Sequence, residues 1–140
     1  MSRASSALSR SSSPAAGSSS ITTDGPDAAV RAILVDGATV FAGGEFGAIG
    51  GATRNFVAAL DGATGSATAW NPNAGGSVRA LASCAGAVFA GGEFGSVGGV
   101  TRNNLAALDL ATGRATGWNP DLDDGVAALV VSGARIYAGG

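Results

Sequence analysis

The chain of 140 residues contains no histidine and no lysine, and a single cysteine, Cys84. Without histidine there is no Ser-His-Asp triad, no imidazole acid or base and no histidine metal ligand. One cysteine cannot close an internal disulfide, and Cys84 stands where an earlier copy of the same motif has Asp36, which marks it as a turn residue and not a nucleophile. All eight basic residues are arginine and the net charge is −2, so there is no basic footprint for nucleic acid. No stretch approaches the ~18 consecutive apolar residues of a membrane span. Aromatic residues are scarce at 6%, yet glycine reaches 24 residues. Few large side chains and many glycines point to closely approaching backbones and tight turns.

Residues 1–20 hold ten serines, two arginines and no acid. They lack the apolar segment of a secretory signal and read as a flexible leader or linker, with an organelle transit peptide as the other reading. Asp24-Gly25-Pro26-Asp27 is a turn cluster. Residues 1–29 are therefore expected to be a Ser-rich disordered leader that precedes the organised part.

From residue 30 onward the chain is one unit written twice. Residues 30–77 and 78–125 align without a gap, 28 of 48 positions being identical, and residues 126–140 begin the unit a third time. A period of this length marks a repeat architecture, in which no unit buries its apolar face alone. Within the unit, residues 30–35 are apolar and β-branched and end at Asp36-Gly37; residues 39–42 form a second run that ends at Gly43-Gly44; a Gly-rich loop follows; residues 56–60 form a third run before the Asp61-Gly62-Ala63-Thr64-Gly65 turn; residues 66–70 form a fourth, closed by Asn71-Pro72. No segment keeps a 3.6-residue period, so the class is all-β. The first and third runs are almost continuously apolar, as strands buried on both faces are. Four short strands per ~40–50 residues with recurring Gly and aromatic marks predict four-stranded antiparallel blades of a β-propeller, two and a third of them here, with a parallel β-helix as the competing architecture.

The unit also resembles a known repeat type. Strand, turn, strand, Gly-Gly, loop, strand ending in Leu-Asp, turn and Trp resemble the kelch layout, and more closely the uncharacterised bacterial propeller repeats of the delta-sixty type. Val78, Ala80, Leu81, Val88, Phe89, Gly91, Gly92, Phe94, Gly98, Gly99, Arg102, Asn103, Leu105, Asp109, Thr112, Gly113, Trp118, Asn119 and Pro120 carry the resemblance, which spans residues 30–140. It implies a β-propeller from a secreted or cell-surface protein and supplies no catalytic residues.

Each recurring motif has a structural reading. Gly-Gly-Glu-Phe at residues 43–46 and 91–94 resembles the diguanylate cyclase signature, but lacks its extra acidic residue and the α/β surroundings that chemistry needs. The paired glycines Gly43, Gly44, Gly91 and Gly92 instead allow close backbone packing or φ > 0. Asp61-x-x-Thr64-Gly65 and Asp109-x-x-Thr112-Gly113 are turns, the Asp accepting backbone N–H groups and the Gly supplying a left-handed position. With Trp70 and Trp118 they resemble the tryptophan-docking repeats of quinone-cofactor dehydrogenases, though the Trp is displaced by one residue; inter-blade docking is expected and a quinone, or any other cofactor, is not. If the tryptophans wedge between blades they are buried and equivalent, so that Trp118→Ala removes about 3–5 kcal/mol and Trp70→Ala less if the first blade lacks a preceding neighbour; the other reading of Trp118 is a surface residue that stacks on a ligand.

Glu45, Arg54, Glu93 and Arg102 recur as well. Arg54 and Arg102 are expected to brace the Gly-rich loop, with a Glu–Arg ring presented to a ligand as the functional alternative. Asp121, Asp123 and Asp124 crowd one loop that reads as a solvated turn, and as a Ca²⁺ loop in the other reading; no metal site is expected, because the first copy has Asn73-Ala74-Gly75-Gly76 there. The expected function is a non-catalytic module for binding or scaffolding, a fragment of a larger protein with an unidentified ligand or protein partner, associating with further blades or with itself. The alternative is a segment of a propeller hydrolase or oxidoreductase whose catalytic residues lie elsewhere.

Overall fold

The computed structural model describes residues 25–140; the expected leader falls outside the described residues except for its end, 25–29. Every element among the described residues is a β-strand. β1 (Val30–Asp36), β2 (Thr39–Gly44) and β5 (Val57–Asp61) form one antiparallel sheet in the order β1-β2-β5. β6 (Ser77–Cys84), β7 (Ala87–Glu93) and β10 (Leu105–Asp109) form its counterpart 48 residues on, and β11 (Ala128–Ser132) pairs with β12 (Arg135–Gly139). The Gly-rich segment is not a plain loop. It folds into a two-stranded hairpin in each copy, β3 (Ala48–Ile49) with β4 (Ala52–Thr53), and β8 (Ser96–Val97) with β9 (Val100–Thr101).

The expected fourth strand is reduced to one bridge, Leu60↔Ala67 in the first copy and Leu108↔Ala115 in the second. The physical reason lies in where its backbone groups go. Ala67 N–H donates to Gly50 O at 2.9 Å, in the hairpin, and Thr68 O accepts from the Arg54 guanidinium at 2.8 Å. Only Thr68 N–H to Ala59 O and Asp61 N–H to Ser66 O run toward β5. The segment is stitched between a strand and a hairpin, so it cannot extend a ladder. The sheets are thus three-stranded, and among the described residues they do not close on themselves. Phe56, expected to open the third strand, sits before it at φ 69°, a left-handed conformation unusual for a bulky residue.

Alternation along β2 and β5 builds two faces. Phe41, Val57 and Ala59 lie on the front, joined by Trp70; Val40, Ala42, Ala58 and Leu60 lie on the back with Phe46 and Ile49. The front of the first sheet packs on the back of the second, Val88, Ala90, Ala106 and Leu108, in one buried cluster. β6 lies against β1 and β2, and β11 against β6. The third run, β5 and β10, is buried on both faces as expected, but the first run is not: β1 is at most half-buried, β6 alternates between buried and half-buried residues and β11 is largely exposed, β1 and β6 being outer strands of their sheets.

The Gly-Gly pairs make that stacking possible. A Cβ on Gly43 would meet Val78 Cγ1 at 2.6 Å, and one on Gly91 would meet Val126 Cγ1 at 2.6 Å: each is the seat of the next copy's first valine. A Cβ on Gly44 would strike the carbonyl oxygen of Ala29, just before β1, and one on Gly92 that of Ser77 on β6. Close approach, and not φ > 0, is the reason for both pairs, since none of the four has positive φ. Opposite them the ladder skips one residue, between Val30 and Ala32 and between Val78 and Ala80. These bulges turn Arg31 and Arg79 out of the pleat.

Residues 25–29 are docked on the first copy. Asp27 N–H donates to Ala48 O at 3.1 Å, as Gly75 N–H does to Ser96 O at 2.8 Å, and Asp27 Oδ1 accepts from Gly47 and Ala48 N–H. The repeat's hydrogen-bond frame therefore reaches upstream of Val30, although residues 25–29 share no sequence with residues 73–77.

Candidate functional site

The junction between the first two copies is built around Trp70. Thr68 and Phe41 set its pose: its backbone N–H donates to Thr68 Oγ1 at 3.3 Å, and its ring meets Phe41 edge-to-face at 5.0 Å. The indole Nε1–H then reaches across to Asp109 O of the next copy at 3.0 Å, and the ring lies on Gly113, where a Cβ would stand 3.4 Å from Trp70 Cδ1 and Nε1. Trp70 is 6% exposed. Inter-repeat docking onto the Asp-x-x-Thr-Gly turn is thus present, but the two tryptophans are not equivalent. Trp118 keeps the Thr116 and Phe89 contacts, at 3.3 and 5.1 Å, yet is 41% exposed. A tryptophan docks on the copy that follows it, and β11–β12 carries no such turn.

The turn aspartates act as expected. Asp61 Oδ1 accepts from Ala63 and Thr64 N–H, and Asp109 Oδ1 from Ala111 and Thr112 N–H at 2.8 and 2.9 Å. The Thr112 and Ala111 bonds hold the Asp109 carboxyl below its usual range, because they favour the charged form. The Gly47 and Ala48 bonds do the same for Asp27.

Arg54 and Arg102 are internal ties. Arg54 binds Thr53 O and Thr68 O, and Arg102 binds Thr101 O and Thr116 O, fastening each hairpin to the segment that leads to the tryptophan. They do not meet the glutamates. Glu45 pairs with Arg31 at 2.8 Å and Glu93 with Arg79 at 2.8 Å, both on the surface, where such pairs contribute up to about 1 kcal/mol. The Glu–Arg pairing therefore exists with a different arginine in each copy, the one the bulge turns outward. Among the described residues no cluster of three or more His, Cys, Asp or Glu side chains is placed to hold a metal ion. In the acidic loop Asp121 accepts from Asn103 Nδ2 at 2.7 Å and Asp124 from Gly125 N–H at 3.0 Å. Cys84 is half-buried at its turn, with Gly133 O 3.9 Å from its sulfur.

A concave surface lies beside the Trp70 junction. It is a groove of about 760 Å³ with Asn71, Pro72 and Asn73 on one wall, the β8–β9 hairpin on the second and Thr112, Gly113, Arg114 and Ala115 on the third. Gly98, Gly99 and Gly113 are among its lining residues; its polar groups are Asn71, Asn73, Ser96, Thr101, Thr112 and Arg114. Asn73 is held at φ 56° and accepts from Asn55 Nδ2 at 2.7 Å. None of these was among the residues expected to meet a ligand. The signal for them in the sequence is the Trp-Asn-Pro triplet kept in both copies. The arrangement offers hydrogen bonds and one cation to a polar ligand. It brings no carboxylate to the groove and so offers no general acid or base.

No family model matches the chain, and no curated protein does either. Among solved structures, the computationally designed protein Ika4 is similar at 16% identity and a TM-score of 0.43, over 82% of this chain and 87% of that one. The computationally designed protein Ika8 is similar at 17% identity and a TM-score of 0.42, over 82% of this chain and 44% of that one. At these scores neither likeness carries an argument about fold or function. No helix of the described residues is long and apolar enough to cross a membrane, which says nothing of a strand-built barrel.

Proposed function

We propose that the chain is a non-catalytic repeat module of β-propeller type, of the kelch-like or delta-sixty kind, that binds or scaffolds a partner in a secreted or cell-surface protein. The observation that carries this reading is the division of labour among the repeated residues. Trp70, Gly43 and Gly91 hold one copy against the next, while Arg54, Arg102, Asp61 and Asp109 fasten the turns and hairpins within each copy. The groove between copies is lined by polar side chains that take no part in this holding, among them Asn71, Ser96, Thr101 and Arg114, and repeat proteins carry ligand surfaces of this kind. Repeat symmetry also argues against catalysis, since it gives equivalent carboxylates equal surroundings while acid and base roles need unequal ones.

The test is an array of glycans and peptides probed with the wild-type chain and with an Asn71→Ala/Arg114→Ala variant. Retention of a ligand class by the wild type, lost in the variant, supports the groove as the binding surface. Turnover of a glycoside, ester or phosphoester that disappears in Glu93→Gln or Asp109→Asn overturns the reading in favour of an enzyme.

A further inference from the structure

We infer that a crevice between the first sheet and the second copy's Asp-x-x-Thr-Gly turn binds an organic ammonium ion, a cation carried on an apolar body. The crevice measures about 340 Å³, the small end of ligand cavities. Its buried lining is apolar, with Phe41, Ala59 and Trp70 each at most 6% exposed. Leu110 of the second copy adds an exposed apolar wall. Asp36 is the one charged residue of the lining, and it is exposed. The crevice is thus apolar where its lining is buried and carries its charge where it opens to water.

Charge selects the occupant. The Asp36 side chain makes no hydrogen bond or ion pair with any described residue. Asp36 stands across from Thr39, and Thr39 across from Asp61, so a second carboxylate lies in the same row of the sheet. No arginine lines the crevice. An anion is repelled there, and a neutral apolar ligand leaves Asp36 without a counter-charge. An ammonium ion on an apolar body meets both demands: its charge faces the carboxylate and the negative π-faces of indole and phenyl rings, and its body takes the apolar wall. The features are not a by-product of the repeat. Cys84 and Ala87 stand where the first copy has Asp36 and Thr39, and Leu110 stands where it has Gly62. No residue of the crevice lines the polar groove, so the site is independent of whatever ligand the groove takes.

The experiment titrates the full chain at constant ionic strength with choline, with butylammonium and with the neutral isostere of choline in which carbon replaces nitrogen. Amide resonances of Thr39 and Leu110 and the indole N–H of Trp70 are followed by NMR. Expected are saturable shifts at these residues with Kd on the order of 1 mM for the cations. The neutral isostere binds about tenfold more weakly, having lost both the ion pair and the attraction to the rings. Asp36→Asn weakens the cations about fivefold, the share of an exposed ion pair. Tighter binding of choline assigns the site to a quaternary head group, and tighter binding of butylammonium to a lysine-like side chain. An Asn71→Ala/Arg114→Ala variant leaves these affinities unchanged, so the groove can fail as a ligand site while the crevice holds. The proposal is overturned by the absence of saturable shifts up to about 20 mM cation. It is also overturned by equal affinity for the neutral isostere, or by cation affinity unchanged in Asp36→Asn.

Discussion

Trp70 and Trp118 sit 48 residues apart in identical Thr-x-Trp-Asn-Pro contexts, bond the same threonine two residues earlier and meet the same phenylalanine edge-to-face. One is 6% exposed and the other 41%. Local sequence sets the pose of each ring; the copy downstream sets its burial. Burial in a repeat stack is a property of the pair of neighbours, and each interface has a direction, front of one copy onto back of the next.

The sharpest way to break this comparison is to truncate both rings. Trp70→Ala is expected to lower unfolding free energy by about 3–5 kcal/mol, the loss for a large buried aromatic. Trp118→Ala should lose about 1 kcal/mol, since mainly the edge-to-face pairing with Phe89 is at stake. Urea unfolding of the two variants checks this, and equal losses would mean that the tryptophans are equivalent after all. Acrylamide should quench the Trp118 emission readily and leave that of Trp70 nearly untouched.

The glycine seats should behave differently from the tryptophans. Val78 and Val126 both occupy their seats, so Gly43→Ala and Gly91→Ala should each cost about 1–3 kcal/mol by overpacking, and by similar amounts. A large asymmetry in thermal melts of these two would show that β11–β12 is not docked as the second copy is.

A smaller contrast separates the first turns of the two copies. Gly37 has φ 60°, whereas Ala85, at the same position, has φ 52° without glycine's freedom, followed by Gly86 at 80°. Ala85→Gly should therefore stabilise the chain by about 1 kcal/mol, and Gly37→Ala should destabilise it by a similar amount. Chemical denaturation of the pair reads both signs.

The smallest effect is that of pH. Asp27 and Asp109 are held below the usual carboxyl value of 3.8 by backbone N–H bonds. A depressed folded-state pKa contributes stability that is complete above the unfolded value and is lost as pH falls through the folded one. Stability should thus decline below pH 3.8, and Asp109→Asn should flatten part of that decline; an unchanged acid limb in the variant would remove Asp109 from the account.

The repeat, the all-β class, the first three strands, the Asp turns and the bracing role of Arg54 and Arg102 were legible because each rests on neighbours in sequence or on recurrence. The hairpin inside the Gly-rich segment was not legible, since two-residue strands carry no periodic signal. The fourth strand misled because residues 66–70 have strand-like alternation, while their hydrogen bonds are taken by Gly50 and Arg54. The Arg31 partner of Glu45 was not legible, because a bulge, invisible in the sequence, lies at Arg31. The groove walls come from three segments, 71–73, 96–101 and 112–115, that only stacking brings together.

By itself, the sequence determined the period, the all-β class and the third strand buried on both faces, because these follow from local spacing and side-chain size repeated 48 residues apart. The tertiary structure alone decided which copy covers which tryptophan, which arginine each glutamate meets and where a concave polar surface forms. Those depend on the direction of stacking and on ladder irregularities, which the local sequence around each ring does not encode.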